Sequence, residues 1–255
     1  MRNFYQSHRC LKWRAYCIFI IFIFVSISPL GAQTTRLTPP EIKPPVFGKV
    51  YVPDTTRQQP GVLLLHGSAG LSANYYQYAD TLSREGFVVL LVDLYAETGS
   101  IPAGAPRRFE FWAIWQEIVK NSIRYLKDIP WILPHGLGIV GFSRGAWLAL
   151  TTVSSFPEVK AIVDYYGVGK QSLAPFLNNM PPLLILHGEN DSFAKPAFVE
   201  SIYNQLKAHN RSVELHIYPE VGHGFNFLQP DNVHYQQATS DAYQRVVSFL
   251  KKYLH

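Results

Sequence analysis

Seven short runs, "FGKVYVP", "GVLLLHG", "FVVLLVDLY", "LGIVGFS", "VKAIVDYYG", "PLLILHG" and "VELHIYP", are bounded by turn residues and are mostly apolar throughout. A strand with no polar face has nothing to turn toward water and must be covered on both sides. Between these runs the apolar positions recur with helical period, which predicts helices over 74–84, 107–127, 144–155, 195–209 and 235–253. In the second of these, Trp112, Trp115, Val119, Ile123 and Leu126 form one stripe, the pattern of a core-facing helix. Buried strands alternating with helices predict an α/β domain with a mostly parallel central sheet and helices on both faces. A chain of 255 residues can bury one such core. Ligands of such sheets bind beyond the carboxyl ends of the strands.

The start of the chain has a different character. Arg9, Lys12 and Arg14 precede the apolar run "AYCIFIIFIFVSI" over 15–27, and small residues follow in "PLGAQ". A charged flank, a short apolar segment and a small-residue exit predict a signal peptide over 1–32, cut after Ala32, and hence a periplasmic or secreted protein. The competing reading is an uncleaved membrane anchor, but the run is short against the ~20 apolar residues of a full span. A proline-rich tether is expected over 33–45 ("LTPPEIKPPV"), with the catalytic domain over 46–255. Cys10 and Cys17 both fall in the presequence, which excludes a disulfide, a cysteine nucleophile or a thiolate metal site from the mature chain. The chain has 23 basic against 18 acidic residues, but four basic residues lie in the acid-free first 32. The remainder is nearly balanced, which speaks against nucleic acid as a partner.

In "GIVGFSRGAWLAL" the strand passes into a helix at Ser143 with almost no connecting residue. Such an elbow lifts a nucleophile clear of the sheet, and Gly141 and Gly145 stand where a Cβ would collide with a neighbouring strand or helix. The helix that begins there directs free N–H groups at any anion formed on the serine. The serine could equally be an ordinary helix cap. A serine nucleophile needs a base, and the base an orienting acid. Among the nine histidines, His216 is expected mid-strand, His135 before the elbow strand, and His66 and His187 at strand ends. His223 instead lies in the glycine-rich loop "YPEVGHGFNF" after the last strand, and Asp191 follows the preceding strand in "LLILHGENDSF". Asp164 is a rival acid expected inside its strand. The order Ser143, Asp191, His223 is that of the α/β-hydrolase fold. The oxyanion of the tetrahedral intermediate requires two donors, assigned to the backbone N–H of Arg144 and of Ser68 in "HGSAG".

On these motifs the chain resembles the dienelactone hydrolase family of the α/β hydrolases, over about 61–255. The matching segments are "VDLYA", "DYYGVG", "END" and "VGHGF". The resemblance implies a hydrolase without cofactor, acting on a small-molecule ester or lactone. It departs from the family's pattern at four places. The nucleophile is Ser143 instead of cysteine. Gly67 stands where the family carries an acidic residue, and Glu97 and Phe227 stand where it carries arginines that hold a substrate carboxylate. The fold and the hydrolytic class follow from the resemblance; dienelactone specificity does not.

Tyr95, Phe109, Phe111, Trp112, Phe193 and Phe225 lie on or near strand-end loops, and of these Tyr95, Trp112, Phe193 and Phe225 are taken as candidate pocket residues. Arg107 and Arg108 suit either an anionic substrate or a solvated helix start. No metal-ligand cluster or phosphate-cradling loop is visible in the sequence. A serine-dependent carboxylic ester hydrolase is the expected function. The alternatives are a non-catalytic binding protein on the same fold and a small secreted serine peptidase.

Overall fold

Each of the seven apolar runs forms a strand. The computed structural model describes residues 34–37, 46–54, 56–99, 110–167, 173–228 and 231–255. Its strands are β1 (Thr34–Leu37), β2 (Val46–Tyr51), β3 (Gln59–Leu65), β4 (Val88–Val92), β5 (Ile132–Phe142), β6 (Val159–Tyr165), β7 (Leu183–Gly188) and β8 (Val213–Tyr218). They form one sheet in the order β1-β2-β4-β3-β5-β6-β7-β8. The six strands from β3 to β8 are parallel, and β1 and β2 add an antiparallel edge.

The helices are α1 (Ala73–Arg84), α2 (Trp112–Lys127), α3 (Arg144–Thr152), α4 (Pro196–Ala208) and α5 (Val233–Leu254). Alternate residues of each strand serve opposite cores, as the pleat requires. Leu63 and Leu65 of β3, Ile139 of β5 and Ile185 of β7 pack under α2, α3 and α4. Val62, Leu64, Val140 and Leu184 pack under α1 and α5. Every residue of β3, β4 and β7 is buried, and apart from Gln59 and His187 those strands carry no polar side chain. β8 closes the sheet and is half-exposed along its middle, where Glu214 and His216 sit. An edge strand with polar residues offers a poor template for pairing with another chain.

Three expectations meet the structure differently. The helix expected from 107 begins at Trp112, and Arg107, Arg108 and Phe109 lie outside the described residues. The signal segment over 1–32 lies outside them as well, while 34–37 of the expected tether form β1. His135 lies within β5, because that strand starts at Ile132 to pair with Gln59 before its register shifts.

α5 is capped by Asn232, whose side-chain oxygen accepts from the N–H of His234 at 2.9 Å and of Tyr235 at 3.5 Å. Backbone donors at a helix start have no partner within the helix, so such a cap is stabilising. Asn232→Ala is expected to lower stability by about 1 kcal/mol. The measurement is a lower urea midpoint at unchanged slope.

Candidate active site

Ser143 joins β5 to α3 with φ 52° and ψ −113°, a conformation that costs a non-glycine residue about 1–3 kcal/mol. Its neighbours make it possible. A Cβ on Gly141 would lie 2.4 Å from Ala146 Cα, and one on Gly145 would lie 2.5 Å from the Leu65 carbonyl oxygen and 2.6 Å from that of His66. Only glycine allows α3 to start this close to the end of β3. Ser143 N–H donates to the Tyr165 carbonyl of the adjacent strand at 2.8 Å, which fixes the turn against β6.

The loops after β7 and β8 bring Asp191 and His223 to this serine. His223 Nε2 lies 2.9 Å from Ser143 Oγ, and His223 Nδ1 lies 2.8 Å from Asp191 Oδ2. An ionised carboxylate only accepts, so Nδ1 carries the ring proton and Nε2 is left to accept from the serine hydroxyl. Asp191 Oδ1 accepts from the N–H groups of Phe193 at 2.8 Å and Ala194 at 2.9 Å. Its side chain has no exposure to solvent. Burial pushes its carboxyl upward, but the hydrogen bonds from His223 and Ala194 outweigh burial and hold it below the ordinary range. His187, one turn before, donates from Nε2 to the Ala194 carbonyl at 2.7 Å and lies 3.4 Å from Asp191 Oδ2. Burial lowers the His187 ring, with the Ala194 carbonyl and the Asp191 carboxylate acting the other way.

The loop after β3 is fastened from three sides. The Gly67 carbonyl accepts from His66 Nδ1 at 2.8 Å and from Gly70 N–H at 3.2 Å. Gly67 N–H donates to the Tyr75 hydroxyl at 2.9 Å, and the Tyr95 hydroxyl donates to the Ser68 carbonyl at 3.2 Å. Tyr95 in turn accepts from the guanidinium of Arg144 at 2.5 Å, a side chain stacked 5.0 Å over Trp115. A Cβ on Gly67 would come within 3.5 Å of Ser143 Cβ, so the loop lies directly beside the nucleophile.

The candidate pocket residues separate. Phe193 is 73% exposed and its ring lies 5.1 Å from that of His223. Tyr95 is buried in the loop network just described. Trp112 is half-buried and packs edge-on to Trp115. Phe225 is corrected from pocket to core: it is fully buried against Tyr165, Tyr166 and Tyr218. Phe227 packs against Tyr75, Tyr78 and Phe142. Glu97 is exposed. Sequence reasoning did not single out Tyr166, whose ring lies 4.8 Å from His223, or Tyr75, and it placed His187 at a strand end without a role. The one available signal for Tyr166 was its place in "DYYG", at a strand end beside the elbow.

The family model described as "Dienelactone hydrolase family" matches residues 46–254. A Synechocystis sp. protein named as a carboxymethylenebutenolidase is 26% identical over 234 residues, which is 84% of this chain and 94% of the relative. A dienelactone hydrolase from Anabaena variabilis has a TM-score of 0.65 at 19% identity and covers 88% of this chain and 99% of its own. A thermophilic esterase from Thermogutta terrifontis has a TM-score of 0.66 at 17% identity, covering 86% and 95%. At such identities the two structures speak for the α/β-hydrolase fold.

The rival acid, Asp164, lies near the end of β6 in register with Gly141, and its one hydrogen bond goes to a backbone N–H. Its Oδ1 accepts from Gly167 N–H at 2.6 Å, and its buried Oδ2 has no partner among the described residues. Burial pushes its carboxyl up to about 7, with the Gly167 bond acting the other way. A carboxyl raised on folding favours the folded state when protonated, so its contribution is fully present below 3.8 and is lost as pH rises to about 7. Asp164→Asn keeps the oxygen that accepts from Gly167 and cannot ionise. The variant is therefore expected to gain stability relative to the parent as pH rises through that window, read as the difference between their urea midpoints. Parallel midpoint curves would show that Asp164 does not titrate there.

Proposed function

The chain belongs to the dienelactone hydrolase family and is a hydrolase of esters or lactones, and on that premise we propose that it works through an acyl-enzyme on Ser143. His223 Nε2 takes the hydroxyl proton as Oγ attacks the carbonyl carbon, and then gives it to the departing alcohol oxygen. Water, deprotonated by the same nitrogen, releases the acid. Asp191 orients the ring and stabilises the imidazolium. The observation that carries this reading is the unbroken hydrogen-bonded series Ser143–His223–Asp191.

In this proposal the oxyanion is met by the backbone N–H of Arg144, at the start of α3, and by that of Ser68. The carbonyl of the 67–68 peptide is held by His66 and Gly70, so its N–H, on the opposite side of the trans peptide, has one direction available. Arg144 then acts twice: its backbone supplies one donor, and its guanidinium, through Tyr95, steadies the residue that supplies the other. Donors fixed before reaction need no reorganisation as charge develops. Gly67, Glu97 and Phe227 depart from the family's charged positions, which argues for a substrate other than a dienelactone. Phe193, exposed beside His223, offers a face to an apolar acyl or aryl group.

The proposal includes export to the periplasm or beyond, with removal of 1–32. Mass measurement of the protein recovered from the cell envelope or medium is expected to give a chain starting near Gln33; a full-length cytoplasmic species would overturn it. For the chemistry, Ser143→Ala and His223→Ala are each expected to reduce kcat by about 10⁴- to 10⁶-fold, and Asp191→Asn by less. A fluorophosphonate is expected to label Ser143 and nothing in the alanine variant. Retention of more than about one-tenth of the parent rate by Ser143→Ala would remove the acyl-enzyme, given the loss normal for a triad.

A further inference from the structure

His223 rides on a loop with glycine on both sides, Gly222 and Gly224, the latter at φ 73°. Glycine leaves a backbone more freedom than any other residue, so the chain next to the histidine does little to hold its ring. Hydrogen bonds at Nδ1, 2.8 Å from Asp191 Oδ2, and at Nε2, 2.9 Å from Ser143 Oγ, fix the line on which the imidazole lies. Turning the ring about the line through its two nitrogens changes neither distance, so that tilt is left to packing.

Among the described residues two aromatic rings meet the imidazole. Phe193 lies 5.1 Å away, but it is 73% exposed and has little around it to hold its side chain. Tyr166 lies 4.8 Å away with 60° between the planes, and it is buried. Its N–H donates to the Leu186 carbonyl of β7 at 2.9 Å, and its hydroxyl donates to Asn226 Oδ1 at 2.6 Å, three residues past the histidine. Its ring also packs on Phe142 and Phe225. Of the two rings, Tyr166 is the one held firmly enough to hold another. Its φ of 42° is a left-handed conformation that glycine would adopt without cost, and such strain persists only where surrounding contacts over-determine it. One residue earlier, the Tyr165 carbonyl accepts the Ser143 N–H. The end of β6 thus touches the nucleophile through one residue and the base through the next.

We propose that Tyr166 is a positioning residue for His223: its ring sets the tilt of the imidazole, and its hydroxyl, through Asn226, ties the loop that carries the histidine to β6. The inference rests on the acyl-enzyme reading and adds to it the group that aims the base. Nε2 faces Ser143 Oγ when it takes the proton, then the departing alcohol oxygen, then water. Its aim therefore enters acylation and deacylation alike, and an error of aim is costly because proton transfer needs a short, well-directed hydrogen bond.

The test uses 4-nitrophenyl acetate as substrate. Tyr166→Leu removes the ring and is expected to lower kcat by about 10²-fold, with KM within about threefold of the parent because both chemical steps lose together. Tyr166→Phe keeps the ring and is expected to bring kcat back to between about threefold and tenfold below the parent. Asn226→Ala removes the partner of the hydroxyl, and its loss is expected to match that of Tyr166→Phe, with no further loss in the double variant. In proton NMR of the resting enzyme, the low-field signal of the Nδ1–H held by Asp191 is expected in the parent and in Tyr166→Phe, and is expected to be lost in Tyr166→Leu. Val246→Ala, in the core under α5, controls for stability: it is expected to lower the urea midpoint and leave kcat within about twofold. The assignment is overturned by a kcat of Tyr166→Leu within about threefold of the parent, by a rise in KM without a fall in kcat, or by an unchanged low-field signal. If Tyr166→Leu does not fold, Tyr166→Phe and Asn226→Ala decide, and parental kcat in both overturns it. A parent that a fluorophosphonate does not label overturns the acyl-enzyme reading instead, and the low-field signal then decides alone whether Tyr166 aims the ring.

Discussion

The contact between Gly145 and the end of β3 is the constraint on which the rest of the site depends. It lets the first turn of α3 sit against the Leu65 and His66 carbonyls. Ser143 is then forced into a left-handed conformation, with its N–H committed to Tyr165 of β6. The same approach brings the start of α3 next to the residues that lead into the loop after β3. A methyl group at residue 145 would separate helix from strand and undo both arrangements together. The strain of about 1–3 kcal/mol at the serine is maintained by a sheet buried on both faces.

Much of this was legible in the sequence, for reasons that differ from element to element. The strands could be read because burial on both faces leaves β3, β4 and β7 apolar apart from Gln59 and His187. The elbow could be read because its two glycines answer steric demands local to the turn. Asp191 and His223 could be read by their places after successive strands. Phe225 could not be separated from a pocket residue, since an apolar side chain two positions past a histidine looks the same whether its neighbours are substrate or Tyr165 and Tyr218. The link from Arg144 to Tyr95 spans 49 residues, and the contact of Gly67 with Tyr75 depends on how α1 is set against β3. Such pairings leave no periodic trace along the chain.

Asp164 and Asp191 show how two buried carboxyls at neighbouring strand ends acquire opposite character. Asp164 has one hydrogen bond to a backbone N–H and burial raises it. Asp191 receives two backbone N–H groups and a histidine, and is lowered. For Asp191 the hydrogen bonds and the neighbouring histidines outweigh burial, whereas for Asp164 the single Gly167 bond does not.

The oxygen of Asp191 that does not face His223 has a consequence outside proton transfer. By accepting from Phe193 and Ala194 it immobilises the backbone that carries the exposed Phe193 ring, and His187 closes the same loop through the Ala194 carbonyl. Most exposed aromatic side chains lose backbone as well as side-chain freedom when a partner covers them. Here the backbone is already ordered, so a molecule that settles on this ring restricts only its side-chain rotation, and the conformational entropy lost on association is correspondingly small.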